Sequence, residues 1–264
     1  MRRVLYLIAI PALLSAKIHY AKVEPYQSMV IKSAVNAKVV EVDLKAEGKM
    51  IGDKEIIHLD DIMDKSELLT SKKSLEILDT TLGINQDMVD NLQKSLKRQE
   101  GYYNRLNRLS TASKTQKDNA FMSYVTTQNQ YLSSKEKIET LKKEILNTQL
   151  KIERLKDTIA KKSINLKNLY LCKLQVREGD YVNLGSPLAT IQDQSRAKLT
   201  LFLERSELEG IDSKRVFIDG NESSYRVNKV WNSTDEKFIS SYRVEIYIDR
   251  PQDNFSKLVK VELK

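Results

Sequence analysis

Through the middle of the chain, apolar residues recur at a spacing of seven. In one stretch they fall at Leu68, Leu75, Leu82, Val89, Leu96 and Tyr103, followed three residues later by Ser71, Leu78, Asn85, Leu92, Gln99 and Leu106. In a second stretch they fall at Tyr124, Tyr131, Ile138, Ile145, Ile152 and Ile159, with Thr127, Ser134, Leu141, Thr148, Leu155 and Lys162 at the +3 positions. Six heptads in each arm make a sustained 3.5-residue period, which winds helices into a left-handed coiled coil. One position of each heptad is always apolar and the other alternates between apolar and polar. A seam through Leu75, Leu82, Val89 and Leu96 against Ile138, Ile145, Ile152 and Ile159 is expected to hold two helices together as a slender, solvated rod.

The residues at 110–115 are small and polar and carry no heptad position, so they read as the link between the arms. Ser113 or Thr115 can cap the second helix, and Asp118 suits its first turn. A link this short predicts an antiparallel hairpin. With roughly 45 residues per arm, a rise of ~1.5 Å per residue gives a rod of about 65–70 Å. A parallel coil between two chains is the competing reading, and it is disfavoured by the link and by what lies on either side of the arms.

Those flanks are alike. Before the arms come Val39-Val40-Glu41-Val42-Asp43-Leu44, a Glu47-Gly48 turn, and Ile56-Ile57-His58-Leu59-Asp60. After them come Leu169 to Val176, a Glu178-Gly179-Asp180 turn, and Pro187-Leu188-Ala189-Thr190-Ile191. Both run strand, Glu-Gly turn, strand, and together they read as two halves of one small β-domain interrupted by the hairpin. Further strand candidates follow at Leu199–Leu203, Val216–Ile218, Tyr225–Trp231, Tyr242–Ile248 and Leu258–Leu263, separated by turns rich in Asp, Gly, Asn and Ser, with a short helical turn at 204–208. Short strands at this spacing predict a small barrel.

Composition adds bounds. The chain has 264 residues, 30% of them charged, with 8 Gly and 4 Pro, which fits exposed helix better than one large core. An excess of 44 basic over 36 acidic residues gives +8; read as spread along the chain, it gives no support for a nucleic-acid partner. Met1-Arg2-Arg3, the uncharged apolar run Val4 to Leu14 and the small pair Ser15-Ala16 read as a secretory signal peptide over 1–16. The run is about half the ~20 residues that a membrane-spanning helix needs. Leu14 fits a cleavage site poorly, so an uncleaved anchor remains the alternative. Cys172 is the single cysteine; it lies in an apolar strand pattern and is expected to be a buried structural thiol. One Cys and two His make no zinc or iron–sulfur ligand set, and neither a G-x-S-x-G nor a P-loop pattern is present. No catalytic residue, cofactor or metal is expected.

The run Leu174-Gln175-Val176-Arg177-Glu178-Gly179-Asp180-Tyr181-Val182-Asn183-Leu184-Gly185-Ser186-Pro187-Leu188-Ala189-Thr190-Ile191 resembles the second lipoyl half of the periplasmic adaptor family, the HlyD-type membrane fusion proteins of tripartite efflux pumps and type I secretion systems. The first half, Val39 to Asp60, is similar but degenerate. The order of the parts carries the resemblance: signal peptide, split lipoyl-like domain, hairpin, barrel. It implies an α+β fold in which a long antiparallel coiled-coil hairpin is inserted in a split lipoyl-like β-sandwich, followed by a small β-barrel. The expected division is 1–16 signal peptide, 17–61 first lipoyl-like half with the N-terminal segment, 62–165 hairpin with its tip at 107–116, 166–197 second half, and 198–264 barrel. Gly48, Gly179, Asp180 and Gly185 are then the lipoyl-like turns. The hairpin stands where a true carrier domain would present its modified lysine, so no swinging-arm cofactor is implied.

The resemblance also implies partners: a TolC-type outer-membrane channel at the tip, an inner-membrane transporter of the ABC, RND or MFS class at the base, and further copies of the chain as a trimer or hexamer. Location in the periplasm, associated with the inner membrane, follows. The family's tip often carries an Arg, a Leu four residues on and a Ser seven after that. Alignment on the second helix places Leu106 and Ser113 on the Leu and Ser, with Tyr102 on the Arg. Arg105 and Leu109 keep the Arg–Leu spacing only with a loop three residues shorter. The candidate docking residues are therefore Arg105, Leu106, Leu109, Ser110 and Ser113. An exported structural coiled-coil protein, or a carrier-type lipoyl-like protein without a transport role, is the alternative.

Overall fold

A computed structural model describes residues 17–249 and 255–264. The expected signal peptide at 1–16 lies outside the described residues. The elements run β1 (Ile18–Lys32), β2 (Ala37–Val42), β3 (Lys49–Leu59), α1 (Ile62–Arg108), α2 (Lys114–Lys162), β4 (Ser163–Leu174), β5 (Tyr181–Val182), β6 (Pro187–Leu203), β7 (Val216–Ile218), β8 (Asn221–Glu222), β9 (Val227–Thr234), β10 (Tyr242–Asp249) and β11 (Leu258–Leu263). The fold is α+β, with two long helices and antiparallel strands throughout.

The strands enclose two separate cores. The first draws Val39, Ile51, Ile56, Ile57 and Leu59 from before the helices and Leu166, Leu171, Leu174, Leu188 and Ile191 from after them. Neither flank holds enough apolar surface to close this core alone, so the segments on either side of the helices fold as one unit. The turns stitch them together. The N–H of Gly179 donates to the carbonyl of Val39 at 3.0 Å, and that of Gly185 donates to the carbonyl of Ser33 at 2.8 Å. Both glycines hold positive φ, +93° and +85°, where a Cβ would be strained.

The second core gathers Ala197, Leu199, Leu201 and Leu203 of β6, Val244 and Ile246 of β10, Val259 and Val261 of β11, and Ala21 and Val23 of β1. The inclusion of β1 differs from the sequence expectation, which grouped the N-terminal segment with the first β half. Ile18 to Lys22 pair with β11 instead, and the strand then turns to pair with β6 from Val23 onward. Alternation accounts for the pairing: Ala21 and Val23 point inward between exposed Tyr20 and Lys22 and half-buried Glu24.

A second difference lies in β6. The expected division at 197/198 separates the segment Pro187 to Ile191 from the strand candidate Leu199–Leu203, with the polar run Gln192 to Arg196 between them. In the structure β6 is one strand of 17 residues. Its first part pairs with β1 and β4, and its second with β1 and β10. The polar residues sit where β6 passes from one core to the other, with no apolar interior to face. There Arg196 lies 4.2 Å over the Tyr26 ring, and Tyr26 meets Tyr247 edge-on at 5.3 Å. Strands β1 and β6 thus span both cores.

Helices α1 and α2 pack alongside each other over their length. Every residue at the heptad positions named above is buried or half-buried. Asn85, buried at such a position, donates from Nδ2 to the Thr81 carbonyl of its own helix at 2.7 Å, which satisfies it locally. Lengths of 47 and 49 residues correspond to about 70 Å each. Helix α2 ends at Lys162, short of the expected limit at 165, because Ile164 already pairs with Ile57 and Leu166 enters the first core.

Leu199 is fully buried on the strand that joins the cores. Leu199→Ala is expected to cost about 2–5 kcal/mol, measured as a shift in the urea midpoint of the second core. A loss well below ~1 kcal/mol would contradict its place in the packing.

Candidate functional site: the hairpin tip and its base

The tip is built by two helix ends. At the C-terminus of α1, Leu109 leaves the helix in extended backbone and its N–H donates to the Leu106 carbonyl at 3.1 Å. Arg105 and Arg108 occupy the last turn, where cations favour the helix dipole. Between the two residues that could cap α2, the structure selects Ser113. Its Oγ accepts from the Gln116 N–H at 3.2 Å, and Gln116 Oε1 accepts from the Ser113 N–H at 2.9 Å, a reciprocal capping box. Lys117 Nζ donates across to the Asn107 carbonyl at 3.2 Å, satisfying a group that the end of α1 leaves open.

Below the turn, Tyr103 stacks on Tyr124 at 6.2 Å and tilts against Phe121 at 5.4 Å, while Ala120 is buried beside this layer. Of the expected docking residues, Arg105, Leu109, Ser110 and Ser113 are exposed and Leu106 is half-buried. The aromatic layer therefore fixes the turn while its outer residues remain free. Ser113 holds the helix start and faces solvent, so capping and contact are compatible in one residue.

The base is held by charge. Adjacent strands β3 and β4 pair Ile57 with Ile164 and His58 with Ser163, and α1 and α2 leave from their ends. Lys162 is nearly buried; its Nζ donates to the Asp60 carbonyl at 2.7 Å and to the Asp64 carboxylate. Beside it Asp61 is 3% exposed, with Lys65 Nζ at 2.9 Å and His58 Nε2 at 3.5 Å from its two oxygens. His58 Nδ1 lies 2.7 Å from Glu55 Oε1. Burial pushes the Asp61 pKa up, but the hydrogen bond to Lys65 together with the charges of His58 and Lys65 outweighs it, and the net shift is downward. The His58 pKa is raised, first by its hydrogen bond to Glu55 and then by the Glu55 and Asp61 charges, against burial.

Sequence reading missed this cluster although the signal was present. Extending the heptad one repeat back from Leu68 places Asp61 and Asp64 at seam positions, and Lys162 already stood at one. Charged residues at seam positions need partners: Lys162 and Asp64 are each other's, and Asp61 takes Lys65 and His58.

Of the expected turn residues, Gly179, Asp180 and Gly185 come together with the first β half: the Asp180 carboxylate accepts from the Arg177 N–H at 2.7 Å, and its carbonyl accepts from the Val39 N–H at 2.8 Å. Gly48 lies at another turn, where its N–H donates to the Leu171 carbonyl at 2.8 Å. Cys172 is half-buried, less enclosed than expected, and burial raises its pKa. Among the described residues, no group of three or more His, Cys, Asp or Glu is arranged to hold a metal, and no helix is long and apolar enough to cross a membrane.

Two strands of one core that launch a 70 Å pair of helices (about 47 residues at ~1.5 Å each), with a second core beside them, form an arrangement found in solved proteins. MacA from Actinobacillus actinomycetemcomitans matches with a TM-score of 0.72 over 94% of this chain and 78% of that one, at 12% identity. The membrane fusion protein Spr0693 from Streptococcus pneumoniae R6 matches with 0.63 over 94% and 99%, at 7% identity. The chain has the fold of the membrane fusion proteins. A MacA–MexA chimera containing the Pseudomonas aeruginosa MexA alpha-hairpin domain matches with 0.56 over 94% and 80%, at 13% identity. No protein-family model and no curated protein sequence matches the chain. The membrane-fusion fold is thus carried here by a sequence with little identity to those that share it.

The base cluster gives a pH dependence whose sign follows from the shifts. His58 has a folded pKa above its ordinary 6.5, so its contribution is fully present below that value and is lost as pH rises through the folded pKa. Asp61, shifted below 3.8, contributes above its ordinary pKa and loses that contribution only as pH falls through the depressed value. His58→Gln is therefore expected to lower the thermal midpoint at mildly acidic pH and to leave it unchanged at alkaline pH. An equal loss at both ends, followed by circular dichroism, would show that His58 does not act through its charge.

Proposed function

We propose that this chain is a non-enzymatic periplasmic adaptor that bridges an inner-membrane transporter to a TolC-type outer-membrane channel. The observation that carries the reading is the base: β3 and β4, paired in one core, each continue into a helix of about 70 Å that ends in an exposed, uncharged turn. Such a construction has no use for a substrate pocket. It holds one end at a fixed distance from the other. The likeness in fold to a membrane fusion protein supports the same role.

In this reading α1 and α2 form an antiparallel coiled-coil hairpin, with Leu75, Leu82, Val89 and Leu96 against Ile138, Ile145, Ile152 and Ile159. The first core is a split lipoyl-like domain, turned by Gly48, Gly179, Asp180 and Gly185. The second core is a small barrel, closed by β1 as well as by residues 198–264. The tip docks to the channel through Arg105, Leu106, Leu109, Ser110 and Ser113, and the barrel and the lipoyl-like base meet the transporter, whose class (ABC, RND or MFS) the reading leaves open. Several copies, as a trimer or hexamer, surround the channel axis, in the periplasm and associated with the inner membrane.

Cysteines introduced as Leu109→Cys or Ser110→Cys test it. In intact cells each is expected to cross-link to an outer-membrane channel, while a cysteine midway along α1 on its outer face does not. Capture of cytoplasmic partners alone, or of none, would reject the adaptor role in favour of an exported structural protein.

A further inference from the structure

Charge is distributed unevenly along the two helices. Residues 62–90 and 134–162, the part nearer the base, hold twelve Lys or Arg and eleven Asp or Glu. The distal stretch, residues 91–133, holds seven basic residues and two acidic residues, Glu100 and Asp118. Half of the basic residues nearer the base are ion-paired. Lys65–Asp61, Lys142–Glu139, Lys151–Glu67, Lys156–Glu153, Lys161–Asp157 and Lys162–Asp64 all lie in the part nearer the base. Among the described residues, Lys94, Lys97, Arg98, Arg105, Arg108, Lys114 and Lys117 pair with no carboxylate. The basic excess that looks diffuse along the sequence is concentrated at one end of the rod.

It is also ordered. Lys94, Arg98, Arg105 and Arg108 are exposed on α1 at spacings of four, seven and three, which is one outward stripe of a heptad-packed helix. The missing member of the repeat is Gly101, three residues after Arg98 and four before Arg105. It opens a groove whose walls are Lys94, Lys97, Arg98, Tyr102 and Arg105. A Cβ at Gly101 would stand 3.7 Å from an Arg105 guanidinium nitrogen, so any larger side chain shares that space with the arginine. Such a gap lets another backbone approach closely.

We propose that this stripe is a docking surface for an acidic helix of a partner protein, laid lengthwise along the distal part of α1 and seated in the Gly101 groove. The proposal rests on the adaptor reading for the partner's place, and adds its chemistry. Like charges one turn apart, as in Lys94–Arg98 and Arg105–Arg108, repel within a Debye length of ~8 Å, so the four unpaired cations favour a counter-surface of matching pitch. The direction of the stripe decides between partners. A flat anionic membrane would meet the rod end-on, at residues 109–113, which carry no charge. The cations run along the side instead, on α1, whereas α2 at the same level carries the uncharged Asn119, Ser123, Thr126 and Gln130.

The experiment titrates the full chain with a synthetic four-heptad peptide bearing Glu along one face, followed by fluorescence anisotropy. Binding is expected to weaken roughly tenfold between low and moderately high salt, and by a similar factor in Arg98→Glu/Arg105→Glu. Gly101→Leu, which leaves the charge unchanged and favours helix, is expected to weaken it about fivefold by closing the groove. Equal binding by wild type and Gly101→Leu would overturn the seated helix, as would tighter binding to phosphatidylglycerol vesicles than to the peptide. Self-association in sedimentation that disappears in Arg98→Glu/Arg105→Glu would overturn it too, by assigning the stripe to a second copy of the chain. The assay contains no channel. Its failure removes the acidic partner and leaves the adaptor role standing, whereas failure of capture from position 110 removes the adaptor role and leaves the peptide result intact.

Discussion

Everything distal in this protein depends on the pairing of β3 with β4 where the two helices begin. A hairpin of long helices joined by a short turn is constrained at one end only; its other end must be fixed or the helices can splay. Here Ile57 faces Ile164 and His58 faces Ser163 in an antiparallel ladder, and Lys162, the last residue of α2, donates to the Asp60 carbonyl just past β3 and to the Asp64 carboxylate in the first turn of α1. A buried lysine contact is costly unless every partner is present. Removing either carboxylate or lysine would leave an uncompensated charge where the helices meet, so the interaction specifies the base geometry more than it adds net stability. Register along the seam then propagates that geometry to the aromatic layer of Tyr103, Phe121 and Tyr124.

The same logic extends below the base. Strands β1 and β6 each run through both cores, and Arg196 between Tyr26 and Tyr247 braces the crossing. Two cores linked by one flexible strand would be free to swing. Two paired strands restrict that freedom, so a load on the second core is transmitted to the helices rather than absorbed. The architecture is one of fixed separations.

The two long helices were legible in the sequence because a heptad sustained over six repeats is compatible with little except helix. The split β-domain was legible because both flanks carry a Glu-Gly turn between apolar strands. What escaped notice shares a physical cause: it depends on what a residue meets across the fold. Gln192 to Arg196 lack an apolar face that would mark one continuous strand, and they lie between two cores where no apolar face is needed. Ala21 and Val23 are too few to announce a strand and acquire their role only beside β6 and β11. Asp61 and Asp64 have no place in the heptad until the seam is extended one repeat back, where Asp64 meets Lys162. The distal cations look diffuse along the chain, and the scarcity of acidic residues at their level of the rod sets them apart. At the tip, residue types did not distinguish a cap from a contact; the hydrogen bonds of Ser113 established the cap and left its outer surface open.

If the hairpin sets a distance, a change of its length is the most direct test. Met88 lies level with Ser134, its sulfur 4.0 Å from the hydroxyl, so deleting residues 75–88 together with 134–147 removes two heptads from each arm in register and shortens the rod by about 21 Å. The base, the aromatic layer, the tip and the distal stripe all remain. The shortened chain is expected to fold and to keep its helicity, while a cysteine at position 110 no longer captures an outer-membrane channel in cells. Capture as efficient as that of the full-length hairpin would contradict the role of the rod as a spacer.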